Sequence, residues 1–198
     1  MDLIEKMYEA INKQDERKQG IHVTSLVYDC LRRSYYSEKF GEGFFDIKTL
    51  ITFWIGRVLH HTQVLKEHEL QLEWLGILGT VDEFEDGILL EKKTTAFMPK
   101  APLEHHVTQL EYYKLLLEKT GKRVKQMFLM YIDIANKDIK VFEVEPRPLA
   151  EIEVELIAKK TELEASLLKN IVPPRHAGWL CGYCNFASIC FKGKENEV

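Results

Sequence analysis

Two carboxylates and a lysine stand at spacings that could build a metal-dependent hydrolytic site. Asp82 and Glu91 flank a tight-turn signal, Asp86-Gly87, that lies between two β-prone runs. With the turn centred on that dipeptide, the two carboxylates face each other across a hairpin and would repel one another. A divalent cation removes the repulsion, since hard cations prefer carboxylate oxygens. Strand alternation places the amine of Lys93 on the same face as Glu91.

Other interpretations of this stretch stay open at the level of the residues. Acidic residues flank many exposed hairpins, and the run from Glu91 to Lys93 is also typical of a solvated strand end. A three-residue loop would shift the register and separate Asp82 from Glu91. The two-residue turn makes a second prediction, that Phe84 faces Leu89.

The four cysteines of the chain can be interpreted together as the ligands of one metal centre. Cys181, Cys184 and Cys190 form a C-x2-C-x5-C cluster in the tail, and Cys30 stands far upstream. Structural disulfides are not expected without an export signal. Four thiolates form a complete set for zinc or for an iron–sulfur cluster, and the residues alone do not decide between them. Cys30 by itself would ordinarily be a small buried hydrophobe.

Length and composition describe an ordinary soluble domain. The chain has 198 residues, of which 45% are hydrophobic and 29% charged, enough for one domain with a sizeable core. No run of 18 apolar residues suggests a membrane span, and the N-terminus is unlike a secretory signal, so a cytoplasmic protein is expected. The net charge of −4 gives no support for nucleic-acid binding, although a nuclease needs only a local basic groove.

Periodicity predicts the elements that must position these residues. Helices are expected at about residues 3–18, 26–36, 46–67, 103–119 and 148–170, and strands at about 70–74, on both sides of Asp86-Gly87, at 124–135 and at 139–145. The helix over 46–67 carries a broad apolar face and is expected to be well buried. Thr24-Ser25 and Asp46 are expected to cap the second and third helices.

These elements predict a single α/β domain with a mixed sheet flanked by helices. Within residues 1–198, we expect an N-terminal helical segment at 1–45, a core at 46–147, and a C-terminal helix with the cysteine-rich segment at 148–198. The cysteine tail would then close onto the N-terminal segment.

In this combination, the chain resembles the RecB-like iron–sulfur exonucleases associated with CRISPR loci, the fourth of the CRISPR-associated (Cas) protein families. The matching motifs, in chain order, are the cysteine with basic and aromatic residues at Cys30–Tyr36, G-x3-H at Gly56–His60, G-x-x-D at Gly79–Asp82, E-x-K at Glu91–Lys93, Q-x3-Y at Gln109–Tyr113, and the three closing cysteines. The family usually has proline after its first cysteine, and Leu31 departs from that pattern.

The resemblance implies a restriction-endonuclease-like PD-(D/E)xK fold and exonucleolytic cleavage of DNA, chiefly single-stranded and often from the 5′ end. It also implies that the enzyme trims DNA ends before CRISPR spacer integration, beside integrase proteins, with no membrane partner. Its cofactors would be an iron–sulfur cluster, commonly [4Fe–4S], bound by the four cysteines, and Mn²⁺ or Mg²⁺ at the nuclease site.

The resemblance also assigns ligands to the nuclease metal. Asp82 and Glu91 would be its carboxylates, with the backbone carbonyl of Lys92 as a further ligand. His60 would be an additional ligand, and imidazole is softer than carboxylate or water, which accounts for the use of Mn²⁺ beside Mg²⁺. A lone histidine on a buried helix is otherwise more often a core residue, and His61 fits that description better.

Three further residues receive roles at the nuclease site, and three others could contact DNA. Lys93 would orient or deprotonate the attacking water and stabilise charge on the phosphorane. Gln109 and Tyr113 are one turn apart on a helix and would hold the site or the DNA end, although Tyr113 could simply be core. Arg32, Arg33 and Tyr36 could contact the DNA strand or form a solvated helix face.

Two alternative functions remain. A nuclease of the same fold could serve recombination or repair, or be encoded by a virus. A protein of another class, a catalytically silent DNA or protein adaptor, could use the four cysteines only to hold a structural metal.

Overall fold

The computed structural model describes residue 6, residues 20–41 and residues 47–192. The helix expected over residues 3–18 lies outside these ranges apart from residue 6, as does the cap at Asp46. Within them, no helix is long and apolar enough to cross a membrane.

The described elements comprise six strands, six α-helices and one 3₁₀ turn. In order they are β1 Ile21–His22, α1 Val23–Leu26, α2 Leu31–Phe40, α3 Ile47–His60, β2 Glu67–Trp74, β3 Ile77–Glu85, β4 Ile88–Thr95, α4 Glu104–Lys119, β5 Gln126–Asp133, β6 Asp138–Glu143, α5 Leu149–Lys169, a 3₁₀ turn Trp179–Tyr183 and α6 Ala187–Lys192. The predicted α/β class, a mixed sheet flanked by helices, is confirmed.

The sheet is built around β3. Of the six described strands, five follow the order β1-β3-β4-β5-β6, and the sixth, β2, pairs with β3. β2 and β4 run antiparallel to β3, β1 and β3 are parallel, β5 runs parallel to β4, and β6 is antiparallel to β5. The parallel step from β4 to β5 requires a crossover, and α4 supplies it.

The turn between β3 and β4 has the two-residue form. Asp86 and Gly87 both adopt positive φ, 50° and 94°, and Phe84 pairs with Leu89 as expected. The ladder joins residues 83–85 to residues 88–90 and records no pair beyond them within the described strands. The register predicted from the two-residue turn is therefore confirmed, and the ladder ends one pair before Asp82 and Glu91.

Beyond the ladder, the two strands separate into a fork. There the Asp82 carboxylate accepts a 2.7 Å hydrogen bond from the backbone N–H of Lys92 in place of a ladder bond. Both carboxylates lie at this fork, where the charge of Asp82 acts on Glu91.

The hydrophobic core lies between the sheet and the helices that cover it. Its fully buried members include Leu110, Leu115, Leu116 and Leu117 of α4, Ile152, Leu156 and Leu163 of α5, and Val81, Leu89 and Leu129 of the sheet. α4 and the sheet thus form the rigid layer on which the site is built.

The single helix expected over residues 26–36 is in fact two, α1 and α2. The chain leaves helical geometry at residues 27–30, where Leu31 N–H bonds to the carbonyl of Asp29 at 3.1 Å. The Asp29 carboxylate meets Lys159 of α5 at 3.0 Å, so a tertiary contact helps to hold the break. Cys30 consequently stands at the N-terminus of α2, outside the helix.

The third predicted helix is shorter and more exposed than expected. α3 ends at His60 rather than near residue 67, and Gln63 donates to the carbonyls of Leu65 and Lys66, turning the chain towards β2. Of its apolar face, Ile47, Ile51, Trp54 and Val58 remain exposed. His61 is also exposed, near Glu69, and is not a core residue.

α3 touches the sheet along one narrow stripe, at Gly56. A Cβ atom there would come within 3.2 Å of Thr94 Oγ1 on β4. The missing side chain therefore makes room for the strand, and this contact fixes the distance between α3 and β4.

Candidate active site

The fork between β3 and β4 brings together side chains from four elements. They are His60 at the end of α3, Asp82 on β3, Glu91 and Lys93 on β4, and Gln109 and Tyr113 on α4. The sequence predicts that all six cooperate, and the fold places them in two adjoining hydrogen-bonded groups, His60 with Asp82 and Glu91 with Lys93, Gln109 and Tyr113.

Asp82 forms one side of the group. Its Oδ1 lies 3.2 Å from His60 Nδ1, and its Oδ2 accepts the Lys92 N–H. The hydrogen bond to Asp82 raises the pKa of His60, against the opposing effect of burial, and the nearby charge of Glu91 adds to the rise. The imidazole and the carboxylate thus satisfy each other.

Glu91 occupies the centre of the group and is almost completely buried. Its Oε1 accepts from Lys93 at 2.7 Å and from Gln109 at 3.0 Å. Its Oε2 has no hydrogen-bond partner, and it is the only buried side-chain oxygen or nitrogen in that condition within the part of the chain that the structure describes. Burial, followed by the charge of Asp82, raises the pKa of Glu91 to about 7.

Lys93 completes the charged centre. Its Nζ donates to Glu91 at 2.7 Å and to Gln109 Oε1 at 2.8 Å. Burial on its own would lower the pKa of Lys93, but Glu91, through its charge and hydrogen bond, and Asp82 together raise it above its usual value. The amine is therefore a cation at neutral pH.

Gln109 connects the strand residues to the helix. Its Nε2 donates to Glu91 Oε1 and, at 3.0 Å, to the hydroxyl of Tyr113 one turn later. Tyr113 is buried, so its ring belongs to the core while its hydroxyl belongs to the polar network. The two interpretations of Tyr113 are thus compatible.

The donor set fits a divalent cation. Two carboxylates with an imidazole match Mn²⁺ or Mg²⁺, and the unpartnered Glu91 Oε2 beside Asp82 is the kind of oxygen that a cation would satisfy. As arranged, no three His, Cys, Asp or Glu side chains among the described residues are close enough to coordinate one ion. His60 Nδ1 and Asp82 Oδ1, which could both bind an ion, contact each other instead.

A second ion pair, which sequence reasoning missed, lies on the opposite face of the same strands. Lys92 Nζ meets Glu83 Oε1 at 2.5 Å, with the two side chains 2% and 0% exposed. The same amine donates to the backbone carbonyls of His60 at 2.9 Å and Thr62 at 2.8 Å. A cation at the C-terminal carbonyls of a helix is favourable, so Lys92 stabilises the end of α3.

Glu83 and His68 complete this support. Glu83 Oε2 accepts from the backbone N–H of Val64 at 2.8 Å and from that of Leu65. His68 Nε2 lies 2.7 Å from the carbonyl of His60. The backbone that carries the candidate ligand His60 is therefore held by hydrogen bonds to Glu83 of β3 and from Lys92 of β4.

The four cysteines do not form a ligand cluster within the part of the chain that the structure describes. All four are half-buried free thiols. Burial raises the pKa of Cys184, and the thiols of Cys30 and Cys181 contribute in the same direction. Cys190 Sγ lies 3.8 Å from the guanidinium of Arg32, two residues after Cys30. The donor chemistry fits an iron–sulfur cluster or zinc.

Of the three α2 residues suggested to contact DNA, two instead make contacts within the fold. Tyr36 is buried and packs on Phe186 at 5.7 Å, which removes it as a stacking residue. Arg32 Nε donates to the carbonyl of Pro173 at 2.8 Å and so holds the tail. The guanidinium carbon of Arg33 lies 5.3 Å from the centre of the Tyr28 ring, near the candidate site.

Comparison with protein families finds one match that spans almost the whole chain. The model of the PD-(D/E)XK nuclease superfamily matches residues 3–191. Among curated proteins, none matches the sequence.

Solved structures with this fold are numerous. The crystal structure of SSO0001 is 28% identical with a TM-score of 0.64, and the alignment covers 95% of this chain and 93% of that one. A phage-related exonuclease from Haemophilus somnus 129PT is 10% identical with a TM-score of 0.50, covering 78% of this chain and 97% of that one. At that identity, the second similarity shows the fold alone.

Proposed function

The chain belongs to the PD-(D/E)XK nuclease superfamily, and we propose that it is a metal-dependent exonuclease acting chiefly on single-stranded DNA, from the 5′ end. One observation carries the proposal. Glu91 is buried with an unpartnered oxygen beside Asp82, while the protonated amine of Lys93 lies 2.7 Å from its other oxygen. Negative charge awaiting a cation, next to a fixed positive charge, suits phosphodiester hydrolysis.

In this proposal, the residues divide the work. Asp82 and Glu91, with His60 and the Lys92 carbonyl, hold Mn²⁺ or Mg²⁺, which supplies Lewis acidity and lowers the pKa of water. Lys93 orients or deprotonates the attacking water and stabilises charge on the phosphorane.

Gln109 and Tyr113 have a supporting role in the proposed reaction. Gln109 donates to Glu91 and accepts from Lys93, so one amide fixes the positions of both. Tyr113 in turn fixes that amide. An amide in this place preserves the geometry of the charged groups without adding charge.

We further propose that the four cysteines bind an iron–sulfur cluster and that the enzyme processes DNA ends for CRISPR spacer acquisition, beside integrase proteins. The ordered motifs and the cysteine pattern support this role, and gene neighbourhood is the observation that separates it from recombination, repair or a viral function. The set of polar contacts around Glu91 argues against a silent adaptor, which would have no use for a buried carboxylate with an unpartnered oxygen.

The direct test is digestion of end-labelled single-stranded DNA. We expect degradation with Mn²⁺ or Mg²⁺ and none with EDTA, and labelling either end in turn reads out the polarity. A matched duplex with blunt ends measures strand preference. Intact labelled strand after incubation with either metal would overturn the proposed activity.

The cluster has its own test, the replacement Cys181→Ala. We expect loss of the visible chromophore of anaerobically purified protein, because a thiolate ligand is removed. A cross-link between the two ends of the domain is worth on the order of 4–5 kcal/mol by analogy with a disulfide, so we expect a fall in Tm of roughly 10 °C.

Ser188→Ala is the matched control for the cysteine replacement, since Ser188 is an exposed residue of the same segment. It should leave both the spectrum and Tm unchanged. If the anaerobically purified wild type is stably folded but colourless, the cysteines hold zinc or no metal, and the cluster is removed from the proposal.

A further inference from the structure

A row of aromatic rings leads away from Lys93 to the surface. Tyr28 stacks on His105 with ring centres 5.5 Å apart, His105 lies 5.3 Å from Trp179, and Trp179 lies 6.4 Å from Tyr183. These four residues, from α1–α2, α4 and the 3₁₀ turn, are named the aromatic row here. Three separate parts of the chain contribute these rings, so only the folded chain assembles the row.

The outer half of the row is open to solvent. Trp179 is 63% exposed and Tyr183 is 81% exposed. Rings that serve only to stabilise the fold are ordinarily buried against other side chains, because burial is the source of their contribution. Large exposed aromatics next to a candidate active site therefore indicate a surface that is covered by a ligand.

The inner half of the row approaches the catalytic centre. His105 lies four residues, about one helical turn, before Gln109 on α4, and Gln109 Oε1 accepts from the Lys93 amine at 2.8 Å. Tyr28 and His105 also interact electrostatically with Lys93. Burial, together with the charge of Lys93, lowers the pKa of His105, so its ring is neutral at pH 7. The row therefore presents uncharged ring faces and ends beside the group proposed to stabilise the reacting phosphate.

Positive charge accompanies the rings. The guanidinium of Arg33 lies over the Tyr28 ring at 5.3 Å, and Lys93 stands at the inner end. Aromatic faces interleaved with cations are the surface that single-stranded nucleic acid recognises, since every base has a π-face for stacking and a phosphate for the cation. A base-paired duplex keeps its bases stacked on one another and could not use such a row.

We infer that the aromatic row is the binding track for unpaired bases of the DNA strand whose end lies at the catalytic centre, with Trp179 as the principal stacking residue. This inference rests on the proposed function and deepens it, because it assigns the preference for single strands to particular residues. The phosphates follow Arg33 and Lys93, while successive bases lie on the rings.

The test measures binding without cleavage. A 5′-fluorescein-labelled oligothymidylate is titrated with protein in EDTA, and fluorescence anisotropy gives Kd. We expect Trp179→Ala to weaken binding about tenfold, because one stacked base is lost. Trp179→Phe should recover most of the affinity, and Tyr183→Ala should weaken binding to a smaller extent.

Leu168→Ala is the matched control, since Leu168 is 88% exposed on α5 and lies outside the row. It should bind like the wild type. A blunt duplex should bind equally to the wild type and Trp179→Ala. Because Trp179 lies near Cys181 in the chain, the visible spectrum of the variant is recorded to confirm that its metal content is unchanged.

The outcomes separate the inference from the proposed function. A wild type that digests single strands, with a Trp179→Ala variant that binds them equally well, overturns the inference alone. Equal weakening on single strands and duplex overturns it too, because stacking on unpaired bases would not affect the duplex. A wild type that neither binds nor digests single-stranded DNA overturns both.

Discussion

Replacing Lys93 with methionine is expected to reduce DNA cleavage by about three orders of magnitude, which is the scale of losing a positioned charge at a developing phosphorane. Methionine keeps the length of the side chain and removes only the cation. The fold should survive, because Glu91 already has its pKa raised to about 7 and can take up a proton when its counter-charge is removed. The measurement is the single-turnover rate on end-labelled single strands with Mn²⁺.

Asp82→Ala should have a comparable effect for a different reason, the loss of a proposed metal ligand. Far-ultraviolet circular dichroism and cluster absorption should match the wild type in both variants. Glu85→Gln is the matched control, since it neutralises a carboxylate of the same hairpin on a residue outside the hydrogen-bonded group. Wild-type cleavage by Lys93→Met or Asp82→Ala would contradict the assignment of the active site.

The second large effect concerns stability, not chemistry. Lys92→Met is expected to lower the free energy of unfolding by about 3–5 kcal/mol, the usual cost of leaving one charge of a buried pair without its partner. The variant leaves the buried Glu83 carboxylate without its partner charge. It also removes the donor from the carbonyls of His60 and Thr62. Urea denaturation followed by circular dichroism measures the loss.

Two comparisons test the cause of this instability. Lys160→Met breaks the pair with Glu164 on the surface of α5, where such pairs contribute about 0.3–0.5 kcal/mol. The double variant Glu83→Gln/Lys92→Met removes both charges and should recover part of the loss. If Lys92→Met costs no more than Lys160→Met, the buried pair does not support the end of α3.

The parts of the fold that the sequence predicted are those in which local and tertiary preferences agree. Asp86-Gly87 required positive φ at both positions, and the chain adopts it. Residues 124–135 are apolar enough to require a strand protected on both sides, and β5 lies between β4 and β6. The helix after Pro148 ends where Asn170 adopts the left-handed conformation, as a C-terminal cap does.

The predictions that failed depended on contacts between distant residues. The break before α2 accompanies a contact between Asp29 and Lys159, 130 positions apart, and nothing near Asp29 reveals it. The end of α3 at His60 depends on the amine of Lys92, which arrives from β4. Helical periodicity beyond residue 60 was real but was overridden by these bonds.

The buried pair could have been found by the alternation that predicted the active site. If Asp82, Glu91 and Lys93 point to one face, then Glu83 and Lys92 must point to the other. That face also carries Val81, which is fully buried, and charged residues buried beside it require each other. The signal was present but was hidden by the stronger pattern of the adjacent motif.

The odd and even positions of β4 thus have different roles. Glu91 and Lys93 point to the candidate active site, and Lys92 points to the opposite, buried face of the strand. Residues 88–90 of the strand pair with β3 and residues 88–95 pair with β5, so the strand cannot rotate or slide independently. One residue inserted or deleted ahead of Glu91 within β4 would exchange the two faces at once. This strand can therefore diverge during evolution by substitution but not by change of length, and natural length variation should be confined to connections such as residues 96–103.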